Sequence, residues 1–289
     1  MKVQRQRVEV GSLGIQIRAL GEGPLVVGLH GFPDHGETWS GLMRILAPDF
    51  RFVALDLRGY GGSDQPAAGY DLSTLAGDVA GVIRTIAPGE TVRVVGHDWG
   101  GAIAWALGYE YPELVDRLSI LNAPHPHLFV KRVFTTSQLV RSWYMFFFQL
   151  PWLPEWTLRR SDGATLQRML RGAASVPPEV LSCGEDEGDR WDPFVQAMLR
   201  PGVLRCALAY YRTAFRQGPW KMRRYAGLLE CPVQVLWGED DPALGVDLLR
   251  GLDRYVSELD VVRIPGAGHW VHWDAEERVA GLLKGWWGR

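Results

Sequence analysis

The chain has 289 residues, 47% of them hydrophobic, which is enough to bury a large core in one domain or in a domain with an insertion. Its formal net charge is −2, its pI is about 6.4 and its basic doublets are scattered, so the charge balance does not favour a nucleic-acid partner. Its three cysteines lack metal-ligand spacing, its N-terminus lacks an apolar signal region, and no apolar run reaches the ~20 residues that cross a membrane. These features predict a cytoplasmic protein without a membrane partner.

Strand and helix patterns alternate along the first part of the chain. Alternating apolar and polar residues predict two strands within 6–19, and continuous apolar runs predict strands at 25–29, 52–57, 92–95 and 118–121. Helical spacing of apolar residues predicts helices at 38–46, 70–86 and 102–109. Strands that are apolar throughout and alternate with helices indicate a mostly parallel sheet with both faces covered.

This alternation stops in the middle of the chain. From about residue 127 to residue 226 the pattern is helical, broken by prolines and rich in aromatic residues. Strands resume at 233–236 and 261–264, which makes eight in all, and a predicted helix at 275–287 ends the chain. The predicted domains are an α/β core of residues 1–127 and 227–289 and a helical cap of residues 128–226 inserted in it.

The stretch G-H-D-W-G-G at residues 96–101 joins a predicted strand to a predicted helix. Glycines on both sides allow a turn tight enough to present one side chain above the sheet edge, which is the pattern of a nucleophile elbow. The residue at the apex is Asp98, where serine is usual. Because aspartate is also a common helix N-cap, capping is the alternative interpretation of Asp98.

An aspartate at this apex predicts attack on a saturated carbon. A serine attacking such a carbon forms an ether that water does not readily cleave, whereas a carboxylate forms an ester that an activated water can hydrolyse. Asp98 is therefore suited to opening an epoxide or an alkyl halide.

Candidate partners of Asp98 follow the last two predicted strands. Asp240 and Asp241 come at the end of one strand, and His269 lies in a glycine-rich loop after the other. In open α/β sheets ligands bind beyond the carboxyl ends of the strands, and nucleophile, acid and base occur here in the order of an α/β-hydrolase triad. His272 is interpreted as a residue at the start of a helix. Both aspartates remain candidates for the acid at this point.

Four motifs in this order resemble those of an α/β-hydrolase-fold epoxide hydrolase. They are H-G-F-P-D (30–34), G-H-D-W-G-G (96–101), W-G-E-D-D-P (237–242) and G-A-G-H-W (266–270). The resemblance implies an α/β-hydrolase fold with a mostly parallel eight-stranded sheet, helices on both faces and an inserted helical cap. It implies that Asp241, three residues after the glycine, is the acid. It also implies conversion of an epoxide to a vicinal diol through an ester on Asp98, without a metal or organic cofactor.

The resemblance also assigns proton donors in the cap. The family uses two cap tyrosines to hold the leaving epoxide oxygen, and the matching stretches here point to Tyr144 and Tyr211, with Tyr210 as a structural neighbour. Phenols suit this role because they donate hydrogen bonds at neutral pH while staying uncharged. In the alternative interpretation the tyrosines are packing residues of an aromatic-rich cap.

Two backbone N–H groups are expected to form the oxyanion hole, one from Trp99 after the nucleophile and one from Phe32 after the third strand. Pro33 resembles a position that is cis in the family, which turns the Phe32 N–H toward the site. The side chains of Phe32 and Trp99 are expected to bind substrate together with Tyr144 and Tyr211.

Other functions stay open at this stage. A haloalkane or haloacid dehalogenase shares the aspartate elbow, and Trp99 follows the nucleophile as it does in haloalkane dehalogenases. A non-catalytic small-molecule receptor is the alternative from a different class. The aromatic run at 143–148 fits the wall of an apolar pocket, which we favour, or a membrane-surface patch. The expected partners are a small apolar epoxide and water, and a homodimer is compatible with the sequence.

Overall fold

Eight strands form one sheet in the computed structural model, which describes residues 2–173 and 191–288. The strands are β1 (Gln4–Val10), β2 (Leu13–Leu20), β3 (Leu25–Leu29), β4 (Arg51–Leu55), β5 (Val92–His97), β6 (Val115–Leu121), β7 (Val233–Gly238) and β8 (Leu259–Ile264). Their spatial order is β1-β2-β4-β3-β5-β6-β7-β8. Strand β2 is antiparallel to β1 and to β4, and the other neighbouring pairs are parallel. The predicted mostly parallel, eight-stranded sheet is confirmed.

Eleven α-helices lie in the described residues. They are α1 (Ser40–Leu46), α2 (Leu72–Ile86), α3 (Trp99–Glu110), α4 (Pro126–Arg132), α5 (Thr136–Arg141), α6 (Trp143–Phe147), α7 (Leu153–Ala173), α8 (Asp192–Leu199), α9 (Val203–Gln217), α10 (Val271–Asp274) and α11 (Glu276–Trp287). Short 3₁₀ helices cover Gly36–Trp39, Pro112–Leu114, Pro219–Tyr225, Val246–Leu249 and Leu252–Arg254. Within the parts of the chain that the structure describes, no helix has the length and apolar composition needed to cross a bilayer.

The two faces of the sheet bury two apolar clusters. Successive side chains of a strand lie on opposite faces, so neighbouring residues of β3 divide between the clusters. Val27 packs in the cluster that contains the apolar faces of α2 and α3, whereas Val26 packs in the cluster that contains those of α1 and α11. Helices therefore cover both faces, which explains why the central strands are apolar throughout.

The segment between β6 and β7 consists of helices α4 to α9 and the 3₁₀ helix Pro219–Tyr225, and its described residues hold no strand. Three prolines of this segment occupy the first turns of helices: Pro126 in α4, Pro154 in α7 and Pro193 in α8. Proline suits this position because it fixes φ and needs no N–H partner there. We call this segment the inserted helices. Residues 174–190 of the predicted cap, with Cys183, lie outside the described residues.

Several predicted strand boundaries are wrong by two or three residues. The strand predicted at 118–121 begins at Val115, because the polar residues Asp116 and Arg117 extend it along β5, where Arg93 pairs with Arg117 in the ladder. The strand predicted at 52–57 ends at Leu55. Beyond it, the N–H of Leu57 donates to His30 Nε2 at 3.0 Å instead of to a neighbouring strand. This bond ties the loops after β3 and β4 together at the carboxyl edge of the sheet.

Candidate active site

Asp98 occupies the turn between β5 and α3. Its backbone has φ 52° and ψ −118°, a conformation that a non-glycine residue adopts only where the surrounding structure enforces it. A Cβ on Gly96 would lie 2.4 Å from the carbonyl oxygen of Gly100, so the turn requires glycine there. The Asp98 side chain makes no helix-capping hydrogen bond, and the capping interpretation is therefore wrong.

The Asp98 carboxylate is held by backbone N–H groups. The N–H of Phe32 donates to Asp98 Oδ1 at 2.9 Å, and the N–H of Trp99 helps to lower the pKa of the carboxyl group. The Phe32–Pro33 peptide is cis, as the resemblance implies. A Cβ on Gly31 would lie 2.4 Å from the Cβ of Asp98, so glycine there lets the loop after β3 approach the elbow. The backbone N–H groups of Phe32 and Trp99, the two expected oxyanion donors, thus both act on the Asp98 carboxylate.

His269 lies between two carboxylates. Its Nδ1–H donates to Asp241 Oδ2 at 2.7 Å, and its Nε2 lies 3.7 Å from Asp98 Oδ2. Asp241 is fully buried after β7, whereas Asp240 beside it is exposed. The structure therefore brings Asp98, Asp241 and His269 together at the carboxyl ends of three strands and leaves Asp240 outside. His272 lies in the short helix α10, as interpreted.

The two carboxylates set the protonation of the site. Burial alone would lower the pKa of His269, but Asp241, by charge and hydrogen bond, and Asp98, by charge, raise it to about 9. Burial would raise the pKa of Asp241, but His269, the Leu244 N–H and the Asn122 amide hold it below its ordinary value. Burial raises the pKa of Asp98 against the opposing influence of His269 and the two backbone donors. Of Asp98 and Asp241, Asp98 is the carboxylate whose negative charge is less stabilised, which favours its reaction as a nucleophile.

A cavity of about 320 Å³ lies above Asp98, between the elbow and the inserted helices. Tyr144 of α6 and Tyr211 of α9 line it, with ring centroids 6.0 Å apart. Apart from Asp98 and these phenols, the side chains of the wall that carry polar atoms are Trp99 and Gln149. The remaining wall is apolar, formed by residues such as Leu72, Phe129, Val133, Met145 and Leu244. The cavity suits an apolar molecule with one polar group near the carboxylate.

Burial and the negative charge of Asp98 raise the pKa values of both Tyr144 and Tyr211 well above that of free tyrosine. Both phenols therefore keep their protons at neutral pH. Tyr210 differs, because its hydroxyl donates to the carbonyl oxygen of Arg58 at 2.8 Å and it is not part of the cavity wall. The ring of Phe32 also lies outside the wall and packs edge-on against Tyr211 at 5.5 Å.

A family model of the alpha/beta hydrolase fold matches residues 24–276 of this chain. Human epoxide hydrolase 4 is 31% identical over 283 residues, which cover 96% of this chain and 76% of that protein. The chain belongs to the epoxide hydrolase family of α/β hydrolases. An epoxide hydrolase from Bacillus megaterium, solved in complex with an inhibitor, has a TM-score of 0.89 at 28% identity and covers 98% of this chain and 100% of its own. A mutant of an epoxide hydrolase from the same organism, complexed with its product (R)-3-[1]naphthyloxy-propane-1,2-diol, has a TM-score of 0.88 at 28% identity over the same shares.

In this α/β hydrolase, two residues that the sequence analysis missed support Asp241. Asn122, which follows β6 and has a positive φ of 40°, donates to Asp241 Oδ2 at 2.8 Å and accepts from the Gly238 N–H at 2.9 Å. Arg141 of α5 donates to the carbonyl oxygen of Asp241. A polar residue directly after a central strand was the available signal for Asn122. The position of Arg141 left no signal, because only folding of the inserted helices brings it to β7.

One buried cluster could in principle hold a metal ion. Asp34, His97 and His272 place ligand atoms within 4.8 Å of one another. These residues already make hydrogen bonds: His97 Nε2–H donates to the carbonyl oxygen of His269 at 2.9 Å, and Asp34 Oδ1 accepts from the His35 N–H at 2.7 Å. Burial raises the pKa of Asp34 to about 7 and keeps His97 neutral by lowering its pKa. Within this cluster, His97 supports the backbone of the His269 loop.

Proposed function

We propose that this chain hydrolyses epoxides to vicinal diols through a covalent ester on Asp98. The observation that carries the proposal is the carboxylate at the elbow, bonded by two backbone donors and facing two protonated tyrosines across an apolar cavity. Membership of the epoxide hydrolase family and the diol product held by the Bacillus megaterium mutant enzyme support the same reaction.

In the first step Asp98 opens the ring. Oδ2 is the attacking oxygen in our proposal, because Oδ1 is engaged by the Phe32 N–H. The bond from Oδ2 to an epoxide carbon forms as the ring C–O bond breaks, and the departing oxygen takes up negative charge. Tyr144 and Tyr211 donate to that oxygen, and one of them transfers its proton to give the hydroxyl of the ester intermediate.

In the second step water cleaves the ester. His269 takes a proton from water, Asp241 stabilises the resulting imidazolium, and the hydroxide attacks Cγ of Asp98. The Cγ–Oδ2 bond then breaks, and the diol leaves with Oδ2 as one of its oxygens after taking the proton of the new carboxyl group. The imidazolium proton returns to the tyrosine that was deprotonated in the first step. The charge on Oδ1 in the tetrahedral intermediate is stabilised by the N–H groups of Phe32 and Trp99. Because the esterified Asp98 is neutral, one of the three negative charges that raise the pKa of His269 is lost, so this pKa falls at the step in which His269 acts as a base.

The two proposed domains supply different catalytic groups. Residues 1–127 and 227–289 form the core that supplies Asp98, Asp241, His269 and the oxyanion donors, and residues 128–226 form a cap that supplies the two tyrosines. Every group of the proposed reaction comes from one chain, and the steps need no cofactor beyond water. We also propose a location in the cytoplasm, whose reducing conditions fit the free, buried thiols of Cys206 and Cys231.

A dehalogenase would use Trp99 to stabilise a departing halide. The Trp99 ring instead packs edge-on against Tyr211, with the two ring planes at 89° and their centroids 5.0 Å apart. The indole is therefore engaged with one of the proposed proton donors, and this contact favours epoxides over halides.

The reaction is tested with aryl and alkyl glycidyl ethers presented beside the matched terminal halides. We expect diol from the epoxides and no halide release. In a single turnover in ¹⁸O-labelled water, the label should enter the Asp98 carboxylate while the first diol formed remains unlabelled. Halide release without diol formation, or label found directly in the first diol, would contradict the proposal.

A further inference from the structure

The cavity opens on a surface of exposed aromatic side chains. Phe134, Phe146 and Phe215 line the cavity and are also exposed, and the rings of Phe146 and Phe215 are in contact at 6.0 Å. Trp143, next to Tyr144, and Trp220, which packs on the cavity-lining Gly218, are 64% and 65% exposed. We call these five residues the mouth surface. Large exposed apolar patches on globular proteins commonly mark sites that bind a protein or a membrane.

The segment that carries the mouth surface is rich in positive charge. Residues 128–226 hold 15 Lys and Arg against 8 Asp and Glu, whereas the whole chain holds 31 against 33. Among the acids of this segment, Glu155 is paired with Arg212. Beside the aromatic residues, Arg216 follows Phe215 and Lys221 follows Trp220, and both cations are exposed.

We propose that the mouth surface docks on an anionic lipid bilayer, with the aromatic side chains in the interface and the cations at the headgroups. Indole rings are favoured at the boundary between water and lipid, and basic residues near a bilayer are attracted by anionic headgroups. A second copy of the chain is the weaker candidate, because two copies facing each other through this surface would oppose like charges. The anionic bilayer satisfies both the apolar and the charged part of the surface.

Docking in this orientation has a consequence for substrate entry. Phe134, Phe146 and Phe215 belong both to the mouth surface and to the cavity wall, so the cavity would open into the interface. Apolar molecules dissolved in the lipid would reach the cavity without crossing bulk water. The run at 143–148 then serves both functions considered for it: Tyr144, Met145 and Phe146 line the cavity, and Trp143 lies outside the wall at the surface.

The docking is tested by sedimentation of the full chain with vesicles, a readout independent of the proposed reaction. We expect binding to phosphatidylcholine vesicles containing about one third phosphatidylglycerol, and binding about 100-fold weaker or undetectable with phosphatidylcholine alone. Added salt should weaken the interaction. The double variant Arg216→Glu/Lys221→Glu should reduce anionic-vesicle binding by about 100-fold, and Trp143→Ala/Trp220→Ala by about tenfold.

The matched control is Arg44→Glu/Arg278→Glu, which reverses two exposed charges on the core helices α1 and α11. It should bind vesicles as the unchanged protein does, and circular dichroism should show that all variants are folded. Absence of binding to anionic vesicles would overturn the proposal. An equal loss of vesicle binding in the core control would also overturn it. So would a concentration-dependent dimer, detected by sedimentation velocity, that both the charge-reversal variant and the tryptophan variant of the mouth surface abolish.

Discussion

Two regions with different construction meet at the cavity. On one side, the loops after β5, β7 and β8 hold their side chains by directional hydrogen bonds, and Asp241 alone accepts four of them at 2.7–2.9 Å from His269, Asn122 and two backbone N–H groups. On the other side, the inserted helices hold Tyr144 and Tyr211 by ring contacts, each of them against Phe148. Hydrogen bonds fix atoms to within tenths of an ångström, whereas ring packing tolerates small displacements.

This difference matches the chemistry proposed for each side. Proton transfer and attack at Cγ require fixed distances, and the loop side provides them. Substrates of varied shape require an adaptable apolar wall, and the helix side provides it. Substitutions on the loop side should therefore cause a large loss of rate in a single reaction step, and substitutions on the helix side should cause smaller, graded losses of rate.

The largest effect is expected from His269→Gln. This change removes the base that activates water but leaves Asp98 free to attack, so turnover should fall by about 10⁴-fold while ester accumulates. Intact-mass spectrometry after incubation with a good epoxide should show a stable adduct, located on Asp98 by peptide mapping. The control Asp98→Ala/His269→Gln should show none. If the His269→Gln protein forms no adduct, His269 is not the base of the hydrolytic step, and the proposed difference between the loop side and the helix side is contradicted.

A smaller effect on the same side is expected from Asp241→Asn. The imidazole loses the carboxylate that orients it and stabilises its charge, and turnover should fall by about 10³- to 10⁴-fold. Asp240→Asn is the matched control, since Asp240 is exposed and adjacent, and its activity should stay within about threefold of the unchanged protein. Steady-state kinetics on one epoxide distinguishes the two. Equal losses in both variants would contradict the assignment of Asp241.

On the helix side, Tyr144→Phe and Tyr211→Phe should each slow alkylation by about 100-fold, which corresponds to about 3 kcal/mol. The double variant should be slower than either, because the alkoxide then has no proton donor. Tyr210→Phe is the control: it removes a buried hydrogen bond to Arg58 and should lower the free energy of unfolding by about 1 kcal/mol without slowing alkylation.

The measurement is single-turnover alkylation followed by rapid quench. A double variant that alkylates at the unchanged rate would make the tyrosines packing residues, and the helix side would then contribute shape alone.

The smallest effect concerns protonation. The negative charges of Asp241, Asp98 and Asp34 raise the pKa of His269 to about 9, so Asp98→Asn, which removes one of the three, should lower it. In the unchanged protein the His269 imidazole should be protonated at pH 8. In the Asp98→Asn variant the imidazole should begin to lose its proton at a lower pH. Titration of the imidazole by NMR measures both values. An unchanged pKa in the variant would show that Asp98 and His269 are electrostatically independent.

Local patterns were sufficient for most of the fold. The apolar runs predicted the strands β3 to β8, because strands of a parallel sheet are commonly buried on both faces, and alternation of apolar and polar residues predicted β1 and β2. The glycines of G-H-D-W-G-G predicted the elbow, since the close approach between Gly96 and Gly100 is set by residues four apart. The boundaries at Val115 and Leu55 were missed because they depend on which strand or loop lies alongside.

The amino-acid sequence by itself determined the fold class, the nucleophile candidate and the order of the catalytic loops, because each depends on residues close together in the chain. The family resemblance favoured Asp241, but only the tertiary structure placed it against His269 and left Asp240 exposed. Asn122 reaches Asp241 from 119 residues away, and Arg141 reaches it from the inserted helices. The exposure of Trp143 and Trp220 was likewise decided by packing of the whole segment. Contacts between distant segments depend on how the elements assemble, and no local pattern encodes them.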